Sequence, residues 1–133
     1  MTGGVILEMK IFFIGAGPGD PDLITVKGKR LLERADTIIY PGHSINRELL
    51  DHPDAMLINS WNLSFEEVIM HIVEEVRKGR MVVKLHSGDP SLFENASVYL
   101  RALSEHGIDM EIVPGVSSVF AAAASLKAEL AEN

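Results

Sequence analysis

Five short apolar runs are spaced along the chain: IFFIG (residues 11–15), TIIY (37–40), AMLIN (55–59), MVVKLH (81–86) and MEIV (110–113). Runs this short and this continuously apolar are what parallel strands buried on both faces produce. The stretches between them repeat at helical spacing. After Ser64, the apolar residues Phe65, Val68, Ile69, Ile72, Val73 and Val76 form a single stripe. Ser64 and Glu67 have the spacing of a capping box, and Gly79 stands where such a helix ends. The pattern predicts further helices over 25–35 and over 96–105, the latter closed by Gly107. It also predicts a short helix over 45–50 and a last one beginning near Val116, rich in alanine. Strand–helix alternation of this kind predicts an α/β domain, a five-stranded and mainly parallel sheet flanked by helices with right-handed crossovers.

Ligands of such sheets bind beyond the carboxyl ends of the strands. Three of those ends are unusual here: GAGPGDPD after the first run, HSGDPS after the fourth and VPGVSS after the fifth. A parallel sheet would put all three loops on one edge. The first is not a dinucleotide fingerprint, because Asp20 stands where the third glycine belongs. Pro18 also removes an N–H that a phosphate nest would use, and Asp20 and Asp22 would repel a pyrophosphate. In the second loop Gly88 permits an unusual φ. Asp89 could cap the next helix, or could bind a ribose hydroxyl or an ammonium group. In the third, Ser117 and Ser118 begin a helix whose hydroxyls and free N–H groups could serve as a cap or bind a ligand.

The chain of 133 residues has the size of one domain. Its net charge of −7 disfavours nucleic acid as a partner, since that binding rests on basic surface. It contains no cysteine, which removes thiolate chemistry and Cys-based metal sites and fits a reducing, cytoplasmic compartment. The five histidines, His43, His52, His71, His86 and His106, show no metal-ligand spacing, so no metal is expected and each is expected to be solvated or a loop contact. Trp61 is expected to be partly buried core or an interface residue. No run approaches the roughly 20 apolar residues of a membrane span. Residues 1–8 lack the pattern of a signal peptide and read as an extension or tag remnant.

Taken together, GAGPGDPDLIT, SGDPSLF and EIVPGVSSVFAAAA resemble, in order, three characteristic segments of the tetrapyrrole methylases. The resemblance runs from about Met9 to Leu130. Within the family, YPGHSIN and PGVSSVFAAAASLKAEL are most similar to the precorrin-4 and cobalt-precorrin-4 C11-methyltransferase branch. Pro41 stands where uroporphyrinogen methyltransferases typically have an aspartate.

The resemblance implies S-adenosylmethionine as cofactor, a corrin precursor as substrate and a role in cobalamin synthesis; a homodimer is expected because a missing second half would leave an apolar face exposed. It assigns cofactor contacts to Pro18, Ser87, Gly88, Asp89, Leu92, Ser117 and Ser118, and turns Gly15, Gly17, Gly19 and Asp20 toward the cofactor and substrate space. An acidic, glycine-rich edge suits that cofactor, which carries a sulfonium and an ammonium but no phosphate. Two departures stand out. Glu94, in FEN after Leu92, replaces a small residue of the family pattern. The family also continues into a second α/β domain that forms the other wall of the cofactor trough, so residues 1–133 are expected to be the N-terminal half, with weak cofactor binding and little turnover. No catalytic base can be named. Three other readings compete: a non-catalytic binding or dimerisation module, a methyltransferase acting on another tetrapyrrole, and a nicotinamide-dinucleotide binder, which Pro18 and Asp20 disfavour.

Overall fold

The computed structural model describes residues 9–132; the expectation for residues 1–8 lies outside them. Five strands form one sheet: β1 (Lys10–Gly15), β2 (Thr37–Tyr40), β3 (Met56–Asn59), β4 (Val82–His86) and β5 (Asp109–Val113). Every strand pairing is parallel, and the order is β3-β2-β4-β1-β5. Four helices accompany them: α1 (Val26–Arg34), α2 (Phe65–Arg77), α3 (Ala96–Glu105) and α4 (Ser118–Leu126). The predicted helix over 45–50 is instead a 3-10 turn, Arg47–Leu50, preceded by a second one at Gly42–Ser44.

This order explains which face each helix covers. From β1 the chain moves through α1 toward β2 and the β3 edge, whereas from β3 and β4 it moves back through α2 and α3. Right-handed crossovers in opposite directions must use opposite faces. Accordingly α2 and α3 pack with Ile11, Phe13, Ile39 and Val82, while Leu32 of α1 packs with Ile14, Ile38, Val83 and Leu85. Alternate residues of one strand serve different layers, as the pleat requires.

At the amino edge of the sheet α2 is pinned by a buried carboxylate. Glu75, 2% exposed, accepts hydrogen bonds from Thr37 Oγ1 (2.8 Å), Arg80 Nη1 (2.9 Å) and Lys78 Nζ (3.2 Å). Burial alone would raise its pKa, but these three donors outweigh it and hold the carboxyl below its ordinary range. At the other end of α2, Ser64 and Glu67 form the predicted capping box. No helix among the described residues is long and apolar enough to cross a membrane.

Candidate functional site

The carboxyl ends of β4, β1 and β5 are neighbours, and the loops leaving them meet in backbone contact. Ala16 N–H donates to the His86 carbonyl (2.7 Å). Gly17 and Gly88 exchange two backbone hydrogen bonds (3.2 and 2.8 Å). Gly15 and Gly115 show why this junction is glycine. A Cβ on Gly15 would lie 2.6 Å from the Gly88 carbonyl oxygen and 2.7 Å from Gly115 Cα, and one on Gly115 would collide with the same carbonyl. The loops after β1 and β4 then depart toward opposite faces of the sheet. That divergence is the topological switch point at which open α/β sheets form a binding crevice.

Asp89 ties the second loop to the third. Its Oδ1 accepts from Ser91 N–H (2.7 Å) and its Oδ2 from Gly115 N–H (2.8 Å). It does not cap α3, whose N-cap is the left-handed Asn95. Ser117 is the N-cap of α4, its Oγ accepting from Val119 N–H at 3.2 Å, and it is 8% exposed. Ser118, one residue on, is exposed. Pro18, Asp20 and Ser118 share an open groove of about 450 Å³ with Leu23 and the alanine face of α4. Asp20 accepts from Asp22 N–H (2.9 Å), capping the 3-10 turn Pro21–Leu23, and Gly19, at φ +126°, is exposed beside it. Ser87 is half-buried, and Leu92 lies exposed farther along the second loop. All eleven residues singled out in the sequence therefore belong to three loops joined on one edge.

A second concavity lies farther along that edge, past β2 and β3. It measures about 660 Å³ and is lined by Tyr40, His43, Arg47, Leu57 and Asn59, among others. Asn46 Nδ2 donates to the Gly19 carbonyl (3.1 Å) and links this region to the glycine loop. Arg47 is exposed here. Lys27 instead pairs with Glu111 (3.4 Å).

One expectation needs correction. His86 is not solvated: it is 1% exposed, because as the last residue of a central strand it points into the α2/α3 layer. Its Nδ1 is 3.4 Å from Glu94 Oε2, its Nε2 has no partner, and its ring lies 4.7 Å from that of Phe13. Burial pushes its pKa down, and Glu94 acts in the opposite direction. Of the two placements expected for Trp61, it is not core: it is 67% exposed where the chain passes Gly42, as the interface alternative requires. Two residues before His86, and hence on the same face, Lys84 is 5% exposed. Burial lowers its pKa from 10.5 to about 8, against the pull of Glu94. Among the described residues no group of three or more His, Asp or Glu could hold a metal ion.

The family model for tetrapyrrole (corrin/porphyrin) methylases matches residues 10–133. A cobalt-precorrin-4 C(11)-methyltransferase of Methanocaldococcus jannaschii is 51% identical over 123 residues, covering 91% of this chain and 48% of its own length. The X-ray structure of a cobalamin biosynthetic enzyme, cobalt precorrin-4 methyltransferase, superposes with a TM-score of 0.91 at 41% identity, covering 98% of this chain and 56% of that one. A uroporphyrin-III C-methyl transferase of Thermus thermophilus complexed with S-adenyl homocysteine gives a TM-score of 0.77 at 33% identity, over 86% of this chain and 51% of that one. The chain thus spans about half the length of the relatives it matches. With its parallel five-stranded sheet and its three joined glycine loops, the chain belongs to the tetrapyrrole methylases.

Proposed function

We propose that the chain serves S-adenosylmethionine-dependent C-methylation of a corrin precursor, at C11 of precorrin-4 or cobalt-precorrin-4, in cobalamin biosynthesis. The observation that carries this reading is the junction of residues 15–20, 87–92 and 114–118 on one carboxyl edge. The identity to the C11-methyltransferase of Methanocaldococcus jannaschii supports the choice of branch. The complex of the Thermus thermophilus relative with S-adenyl homocysteine supports the cofactor.

The residues present fit such a cofactor. Gly17 (φ +82°) and Gly19 (φ +126°) expose backbone without side chains, and nothing lies within 4 Å of a Cβ placed on Gly19. Pro18 has no N–H to offer a phosphate, and Asp20 makes the groove negative, which favours a cationic ligand. S-adenosylmethionine supplies an electrophilic methyl group on a positively charged sulfur, so the protein needs no strong acid or base to activate it. Its contribution is placement. Pro18 and Leu92 offer apolar surface that excludes water, and Ser117 and Ser118 present hydroxyls at the start of α4. Asp89 keeps the second and third loops in register. In the neighbouring 660 Å³ concavity Arg47 offers a guanidinium to a tetrapyrrole carboxylate, while Glu48 and Asp51 line the same space and would repel one. Orientation of two reactants can supply about 7–11 kcal/mol of barrier reduction.

In this reading residues 9–132 make one wall of the cleft, and the second half of the relatives corresponds to the other. The reading includes a homodimer, supported by the apolar surface that α4 exposes at Phe120 and Leu126, and a cytoplasmic setting, supported by the cysteine-free composition. Calorimetric titration with S-adenosylhomocysteine and with NAD tests it. Weak binding of the former and none of the latter are expected. Continuing the chain with the remaining half of the Methanocaldococcus relative is expected to tighten S-adenosylhomocysteine about tenfold or more, equivalent to roughly 1.4 kcal/mol. Equally tight binding by both versions would refute the one-wall account, and NAD binding at comparable strength would refute the ligand class.

A further inference from the structure

Residues 93–95 arrange their side chains against their chemistry. Phe93 is 93% exposed, while the carboxylate of Glu94 turns inward over the sheet and touches His86. Phe93 (φ +64°) is left-handed, a conformation that bulky residues avoid, whereas Asn95 (φ +55°) is of a type that enters it readily. A loop left to itself would bury the ring, expose the acid and relax the φ of Phe93. Something must hold Glu94 in.

Lys84 lies on the same strand face as His86, the residue Glu94 touches, and its ammonium is 5.6 Å from the centre of the Phe13 ring and 5.1 Å from that of Tyr99. Both rings can hold a cation by their faces. No carboxylate stands within ion-pair distance of Lys84 among the described residues, and Glu94 is the acid whose charge acts on it. We propose that Lys84 and Glu94 are positioning residues: a buried cation and an inward-turned carboxylate form a latch that holds the 89–95 loop, and with it Leu92, on the cofactor edge.

The surroundings are otherwise quiet. In the sheet Lys84 pairs with Phe13 of β1 and Ile39 of β2, and α2 contributes Val68, Ile69, Ile72 and Val73 to the layer. From α3 comes Tyr99, whose pKa burial and Glu94 push above its ordinary value, so that it stays neutral through pH 9. His86 is neutral there too, and its remaining charged influences are Lys84, Glu94 and Asp89. Glu75 belongs to the opposite edge. Lys84 is therefore the group in this layer that changes charge near pH 8, and the latch opens as it deprotonates.

The role in cofactor placement rests on the proposed cofactor, so the test separates the two. Without ligand, ¹³C-methyl NMR of Leu92 in the 133-residue chain is expected to titrate with a midpoint near pH 8, and to be flat between pH 7 and 9.5 in Lys84→Met and in the isosteric Glu94→Gln. A flat wild-type signal, or an unchanged titration in either variant, overturns the latch. With S-adenosylhomocysteine, wild-type affinity is expected to fall about fivefold from pH 7 to pH 9. Glu94→Gln should hold the weaker value at both, a coupling at the low end of the usual range between sites. Equal pH dependence in wild type and Glu94→Gln overturns the positioning role. If Leu92 titrates as stated but S-adenosylhomocysteine binds at no pH, the latch stands and the cofactor reading fails.

Discussion

Two buried charged groups share one helical layer, one at the amino edge of the sheet and one at mid-strand, and they are treated differently. Glu75, at the amino edge, has three donors on two oxygens, and its ionised form is favoured. Lys84, at mid-strand, has two aromatic faces and a distant carboxylate, and its ionised form is disfavoured. Beside it His86 Nε2 is left without a partner. A buried charge that is fully hydrogen-bonded fixes structure, whereas one that is poorly compensated costs stability and persists where something else uses it. The first arrangement marks the end of the sheet that must only stay folded. The second lies behind the loops assigned to the ligand.

The largest effect is expected where the three loops touch. Gly115→Ala drives a methyl group into the Gly88 carbonyl and has no flexible neighbour to displace. A loss of about 3 kcal/mol or more in urea unfolding is expected, at or beyond the upper end for overpacking. A loss under about 0.5 kcal/mol would mean that the loops are not in contact. Glu75→Ala comes next. It leaves Thr37 buried without its acceptor, while Arg80 and Lys78 keep nearly half of their side-chain surface in water and regain solvation. The cost should be about 2 kcal/mol, below the usual range for a broken buried pair. A carboxyl with a depressed folded pKa contributes stability that is present above pH 4.5 and is lost as pH falls through the folded value. The acid limb of wild-type stability should therefore flatten in the alanine variant.

Lys84→Met sharpens the comparison because its sign is opposite. Removing a poorly compensated buried ammonium should stabilise the fold by about 1–3 kcal/mol at pH 7. In wild type the unfolded chain binds a proton that the folded chain has released between pH 8 and 10.5, so stability should rise across that window. Chemical unfolding at pH 7 and at pH 10 reads both effects. A methionine variant less stable than wild type at pH 7 would make the two clusters equivalent. Ser64→Ala is the smallest change, a lost helix cap at the carboxyl end of the layer worth about 1 kcal/mol with no pH dependence.

Much of this was readable before any coordinates, for identifiable reasons. Two-sided burial writes a parallel strand as an apolar run, and β2 at Thr37–Tyr40 matches its run residue for residue. Glycine and proline marked the three loops because only they tolerate the turns those loops make, as Gly17, Gly19 and Gly88 do at positive φ. What stayed hidden depends on partners distant in the sequence. The strand order, which sets which loops touch, leaves no trace in periodicity. Gly15 and Gly115 looked like ordinary turn residues, although each exists for the other's backbone. The burial of His86 was misread because a polar residue at the end of an apolar run resembles the start of a loop. Lys84 inside MVVKLH did carry a signal, a charge at an inward position of a central strand. The left-handed Phe93 carried none, since a bulky aromatic does not announce that conformation, whereas Asn95 is of a type that adopts it readily.

The contact among Gly15, Gly88 and Gly115 also limits how such a cleft can diversify. Main chain rests on main chain there, so no substitution can enlarge or line the floor. New ligand preferences in this fold have to be introduced from the outward positions around it, such as Pro18, Leu92 and Ser118, while the floor itself has no room for a side chain.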